Sequence, residues 1–220
     1  TKSLSKSLNT TVSIRKVDFS LFDRMSLEHT LILDHKQDTL LYAEAVRVSI
    51  TDWFFLKKKS TLRYIGLQGA TIKLNRDTPE WNYQFLEDYF GGGSSSGGGS
   101  APPNIDLKLV SLKDVTLFQQ DKWLGRDMLV SVKGFRLEAD KLDIPNHLLQ
   151  INSIDFDRPV FAQYDYKGLR PPKVKTDSSA AEIPQSDEPF NSDNWRVISK
   201  EIKIKDGKIA IERESKTPSD

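Results

Sequence analysis

Three histidines, His29, His35 and His147, and a scatter of carboxylates that includes Asp34, Asp38, Asp155, Asp157 and Asp165 are the residues of this 220-residue chain best suited to chemistry. Metal binding requires several such groups at strand or helix spacing, and acid–base catalysis requires two groups converging on one point. His29 and His35 bracket Asp34, but solvated histidines beside a turn account for that arrangement, and most of the carboxylates fall at strand ends or on outward positions. Cysteine is absent, which removes disulfides, thiolate zinc sites and cysteine nucleophiles together. The glycine run has no lysine after it and no G-x-S-x-G elbow occurs, so neither a phosphate loop nor a serine nucleophile is signalled. The expectation is a protein that is not an enzyme, with no catalytic residue, metal or cofactor.

Charge excludes a second class of function. Lys plus Arg number 32 against 31 Asp plus Glu, so no global field attracts nucleic acid or an anionic bilayer. With 37% hydrophobic and 29% charged residues the composition is that of a soluble chain without a membrane span. It opens at Thr1 without an apolar signal region and runs out from Glu212 to Asp220 as a polar tail, which reads as a piece of a longer protein lacking its anchor or export signal.

The elements that must position any site are strands, and they repeat. Ile65-Gly-Leu67-Gln-Gly69-Ala-Thr-Ile72, Val110-Ser-Leu112-Lys-Asp114-Val-Thr-Leu117, Ile154-Asp-Phe156-Asp-Arg158-Pro-Val-Phe161 and Ile202-Lys-Ile204-Lys-Asp206-Gly-Lys-Ile209 align without gaps at spacings of 45, 44 and 48 residues. Each copy places two alternate apolar residues before a turn-like or small residue and a further apolar one after it. Pro159 and Gly207 mark the centre of the copy as a bend in the strand.

Alternation predicts strands over 12–33, 40–50 and 62–74, and again over 105–118, 128–144 and 149–166. Asp77-Thr-Pro-Glu80 predicts a helix start, with Trp81, Phe85 and Tyr89 forming a stripe to Phe90. Trp53-Phe-Phe-Leu-Lys-Lys-Lys59 breaks the alternation as a helical turn or packed loop, and Gly91 to Ser100 is a flexible linker by composition. The expected organisation is a first β-unit over 1–90 ending in the 79–90 helix, a Gly/Ser linker over 91–104, and a second β-unit over 105–168. A Pro/Ser/acidic loop over 169–194 and the start of a third repeat over 195–213 follow. One-sided strands present an apolar face that must be covered by a second sheet, by helices or by a non-protein apolar ligand. With one convincing helix, either the sheet curls on itself or it holds something apolar in a groove.

The stretch Ser26-Leu-Glu-His-Thr-Leu-Ile-Leu-Asp-His-Lys-Gln-Asp-Thr-Leu-Leu-Tyr-Ala43 resembles the segment near the amino end of AsmA/TamB-type envelope proteins of Bacteroidetes. Val46-Arg-Val-Ser-Ile50, the Trp53–Lys59 element, the first repeat copy and Trp81-Asn-Tyr-Gln-Phe85 follow in the order that family uses. The resemblance is close over 12–90, looser through 105–166 and weak beyond; the ten-residue Gly/Ser run is a departure from it.

The resemblance implies a mainly β fold: a repeated, strongly curved antiparallel sheet forming an open groove, taco-like, with one or two short helices. It also implies a periplasmic setting, with the full-length protein anchored in the inner membrane by a helix outside this chain. Phospholipid or another lipid would be the cargo, carried toward the outer membrane, and an outer-membrane barrel protein a further partner. The inward set expected to meet acyl chains is Val46, Val48, Ile50, Leu67, Ile72, Leu112, Val130, Val132, Ile154 and Phe156. Two other readings stay open: a scaffold or chaperone for outer-membrane strands, and an extracellular adhesion or carbohydrate-binding β-repeat.

Overall fold

The alternating segments fold as strands in a computed structural model, which describes residues 2–20, 24–51, 61–90, 104–143, 146–171, 191 and 194–214. In chain order the elements are α1 (Lys2–Leu8), β1 (Val12–Ser20), β2 (Arg24–Leu33), β3 (Thr39–Thr51), β4 (Thr61–Arg76) and α2 (Gln84–Phe90). Then come β5 (Asn104–Asp121), β6 (Arg126–Asp143), β7 (Leu148–Asp157), β8 (Val160–Asp165), β9 (Arg196–Lys205) and β10 (Lys208–Arg213). The Trp53–Lys59 element, the Gly/Ser run and most of the 169–194 loop lie outside the described residues.

All ten strands join one sheet in the order β1-β2-β3-β4-β5-β6-β7-β9, with β8 pairing β6 and β10 pairing β8. Among the described residues only strands that pair in this way touch, so the sheet stays open. The expected mainly β, open, curved sheet is therefore present. It is mixed rather than wholly antiparallel, because β4/β5, β7/β9 and β8/β10 pair in parallel. Parallel neighbours need a long crossover between them, and long stretches of chain separate β4 from β5 and β8 from β9. The four repeat copies are thus strands of one direction: β4, β5, β7 with β8, and β9 with β10.

The bend at the centre of each copy has a local cause. Gly69, Asp114, Arg158 and Asp206, the fifth residues of the copies, all have positive φ, at 56, 52, 48 and 53°. His29 at 48° continues the row on β2. Left-handed backbone costs a non-glycine residue roughly 1–2 kcal/mol, and Asp and His accept it more readily than β-branched residues. What the row achieves is a reversal of side-chain parity. Normal alternation would send residues three apart to opposite faces, yet Leu67 and Ala70 on β4, and Leu112 and Val115 on β5, belong to one cluster. Strands β4 and β5 therefore keep apolar residues on one face on both sides of the crease, and Val46 on β3 and Phe135 on β6, their cross-strand partners, join the same cluster. The buried cluster at the crease is Ala43, Ala70, Val115 and Val132, with Val46, Leu67, Leu112, Phe135 and Phe156 against it.

One end of the strands carries a polar brace. Asp34, 1% exposed, accepts the backbone N–H groups of Lys36 and Asp38 on Oδ1 and the Asn82 side-chain amide on Oδ2. Thr10 donates its hydroxyl to the carbonyls of Leu33 and Asp34. His35 stacks on Phe85 at 4.5 Å and hydrogen-bonds the Leu8 carbonyl, which ties α1 and α2 to the β2–β3 turn. Helix α2 begins at Gln84 rather than at the expected residue 79. The cause is that Asn82 is held back against β4, its N–H on the Asn75 carbonyl and its Oδ1 on the Asn75 N–H, while Trp81 lies 4.4 Å from the Arg76 guanidinium. Helix α1 was not signalled by the sequence; Asn9 at φ 50° ends it in the left-handed cap conformation.

Candidate functional site

The parity reversal assembles three apolar rows on the concave face. On the arm away from the brace, one row runs Val17, Leu27, Val46, Leu67, Leu112, Phe135, Phe156 and Ile204, from β1 to β9. Beside it run Phe19, Met25, Val48, Ile65, Val110, Leu137, Ile154 and Ile202. On the braced arm the row is Val12, Ile32, Leu41, Ile72, Leu117, Val130, Phe161 and Ile209, ending on β8 and β10. Each crosses eight strands without a polar residue, about 34 Å at ~4.8 Å per strand. No helix lies along this face among the described residues, because α2 touches α1 and α1 reaches only the start of β1.

Of the expected inward residues, Val46, Val48, Leu67, Leu112, Ile154 and Phe156 lie on the first arm, and Ile72, Val130 and Val132 on the braced one. Val132 belongs to the buried floor, not to a half-open row. Ile50 follows a register shift after Ser49, and its side chain lies outside the described residues. Phe135, Leu117, Phe161, Ile65 and Val110 belong to the same face and were missed, although all but Phe135 stand in the repeat copies themselves. The floor residues Ala43, Ala70 and Val115 were missed, Ala70 and Val115 because alternation read through the bend puts them on the other face.

The rows are half-buried in the middle of the sheet and exposed toward its last edge, where Ile202, Ile204, Ile209 and Ile211 are 58%, 65%, 79% and 61% exposed. A fully buried aliphatic side chain stabilises by roughly 1.5–3 kcal/mol, much of which these residues forgo. Thr30, on the floor beside Ala43, is buried with no hydrogen-bond partner for its hydroxyl among the described residues.

Beyond the apolar rows, the braced arm ends in a ladder of alternating charge, Arg76, Asp121, Arg126, Asp165 and Arg213, each opposite the next across the sheet. Arg76 grips Asp121 with two bonds of 2.8 and 2.7 Å, their side chains 15% and 4% exposed. Arg126 donates to Asp165 at 2.8 Å, and Arg213 stands 3.6 Å from its other oxygen. Burial raises the Asp165 pKa, but the Arg126 and Gln163 hydrogen bonds and the two guanidinium charges outweigh it and hold the carboxyl below its usual value.

The convex face is polar along the crease, where Lys133 pairs with Asp114. Toward the brace it carries a shallow depression of about 500 Å³ that includes the exposed rings Phe118 and Tyr164. Burial, then a 2.9 Å hydrogen bond to Asp127, pushes the neighbouring Tyr166 up to about 12. The three histidines lie apart: His29 on the Tyr42 hydroxyl, His35 on Phe85, and His147 stacked on Trp195. Among the described residues no helix is long and apolar enough to cross a membrane. Compared with known proteins, the chain matches no family model and no curated protein.

Proposed function

We propose that this chain is a non-catalytic, lipid-carrying segment whose concave face holds phospholipid acyl chains while they move along the sheet, strand by strand. The observation that carries this reading is the three unbroken apolar rows, over which no second layer lies among the described residues. An open apolar face of this length is uncommon on a protein that meets only water. Acyl chains are the occupant best suited to it, because the rows offer dispersion contact and no hydrogen-bonding pattern. Transfer then needs no bond-making step, nucleotide or metal in this chain. The resemblance set out above adds the setting: the periplasm, with an inner-membrane anchor on the full-length protein and the outer membrane as destination.

The test is native mass spectrometry of the purified protein with extraction and identification of bound lipid. Co-purifying phospholipid, lost when Val48 is replaced by Asp in a variant that still folds, is the expected result. Protein that is lipid-free and takes up none from phosphatidylethanolamine vesicles would overturn the reading. Strand addition by a client, the scaffold reading, is favoured by one feature, the edge of β9 and β10, which no further strand among the described residues pairs and which carries exposed isoleucines. Binding of β-strand peptides by lipid-free protein would replace the first reading with that one.

A further inference from the structure

The braced arm of the groove is apolar near the crease, turns mixed at Met128, Gln163 and Ile211, and ends in guanidinium groups. From Val132 at the crease to Arg126 at the rim, β6 rises six residues, about 20 Å at ~3.3 Å each. That exceeds the ~15 Å hydrocarbon depth of one leaflet, half of a ~30 Å core. Along this lane the concave face shows Val130, Phe161 and Ile209, then Met128, Gln163 and Ile211, then Arg126, Asp165 and Arg213. The order is that of a lipid: tail, linkage, head.

The three charges at the rim are unevenly matched. One carboxylate faces two guanidinium groups, and Asp165 already accepts from Arg126 and from the Gln163 amide on both oxygens. Arg213 reaches it only at 3.6 Å and is 77% exposed, while Arg126 is 45% exposed. The carboxylates on either side are engaged, Asp121 by Arg76 and Glu214 by the Lys167 N–H. The cluster thus holds one net positive charge and free planar donors facing outward, a geometry that suits phosphate oxygens. Arg76 cannot share the role, since its fork is spent on a nearly buried carboxylate and its face on Trp81.

We infer that Arg126 and Arg213, set in register by Asp165, form a seat for the phosphate of a lipid headgroup whose acyl chains occupy the Val130–Phe161–Ile209 lane. This rests on the groove reading above and adds a headgroup preference to it. The test compares binding of phosphatidylethanolamine and of diacylglycerol with the same acyl chains, each in detergent micelles, to the wild-type chain and to an R126Q/R213Q variant. Inorganic phosphate serves as a third probe. Both substituted positions are exposed, so the variant should keep the wild-type circular dichroism. The expected result is about a tenfold preference for the phospholipid, the size of one charge-assisted hydrogen bond, falling to within twofold in the variant while diacylglycerol binding is unchanged. Equal binding of the two lipids by the wild type, or a preference retained by the variant, overturns the seat and leaves the groove standing. Binding of neither lipid overturns both. Inorganic phosphate bound by the wild type, lost in the variant and not displaced by phospholipid would identify a free-anion site and overturn the lipid assignment.

Discussion

Valine at position 69 strikes the crease at its centre. Gly69 sits at φ 56° in the middle of β4, and a Cβ there would meet the carboxyl end of Glu44 on β3. Glu44 is exposed and can swing away, so the cost lies in the backbone. Left-handed conformation costs an ordinary L-residue roughly 1–2 kcal/mol, with β-branched residues at the upper end. The smaller entropy of the unfolded valine chain returns about 0.5 kcal/mol, and the net loss is about 1.5 kcal/mol. With a urea m-value of ~3 kcal/mol/M for a chain of this size, the midpoint followed by far-ultraviolet circular dichroism should fall by about 0.5 M. Asp114→Gly is the matched control: it relaxes the same backbone position on β5 at the loss of an exposed pair with Lys133, and its midpoint should move far less. If Gly69→Val leaves the midpoint where it was, residue 69 is not left-handed, and the parity argument for a one-sided groove fails with it.

Three further outcomes follow from the same geometry. Val48→Asp should preserve the fold, because the side chain is half-exposed in an open row and not enclosed in a core, and should abolish lipid retention; loss of the circular dichroism spectrum would contradict the open face. Arg76→Ala should cost about 3 kcal/mol in urea unfolding, since it leaves the Asp121 carboxylate 4% exposed without its bidentate partner, whereas a cost under about 1 kcal/mol would mean the ladder is ordinary surface charge. Tyr166 is raised in the folded state from 10.0 to about 12, so its contribution is complete below pH 10 and is lost as pH rises through about 12. Tyr166→Phe should therefore be less stable than wild type at neutral pH and lose less stability over that alkaline window, as read by urea midpoints at a series of pH values.

The repeat was legible because its apolar positions and its turn-like fifth residue recur in register, and that fifth residue proves to be the left-handed one in all four copies. Bending could be inferred from Pro159 and Gly207, whereas the reversal of faces could not, since alternation read through the bend sends Ala70 and Val115 outward. Partners distant in sequence were hidden for a different reason. Arg76 and Asp121 are 45 residues apart, and Arg126 and Asp165 are 39, so nothing local to either marks the pair. Asp34 read as a solvated turn carboxylate, but the chain supplies it with two backbone N–H groups and an amide from Asn82, 48 residues away, which makes its burial tolerable. The parallel pairing of β4 with β5 depends on how the intervening chain crosses the sheet, which strand periodicity does not encode.

Site-specific photo-crosslinking in cells tests the groove most directly. Ile72 lies on the concave row of the braced arm, and Lys73, the next residue, points from the convex face beside Phe118. A benzophenone side chain at Ile72 should form adducts with phospholipid on illumination, and the same probe at Lys73 should form few or none. Equal labelling at the two positions, or no lipid adduct at Ile72, would contradict a lipid path on the concave face.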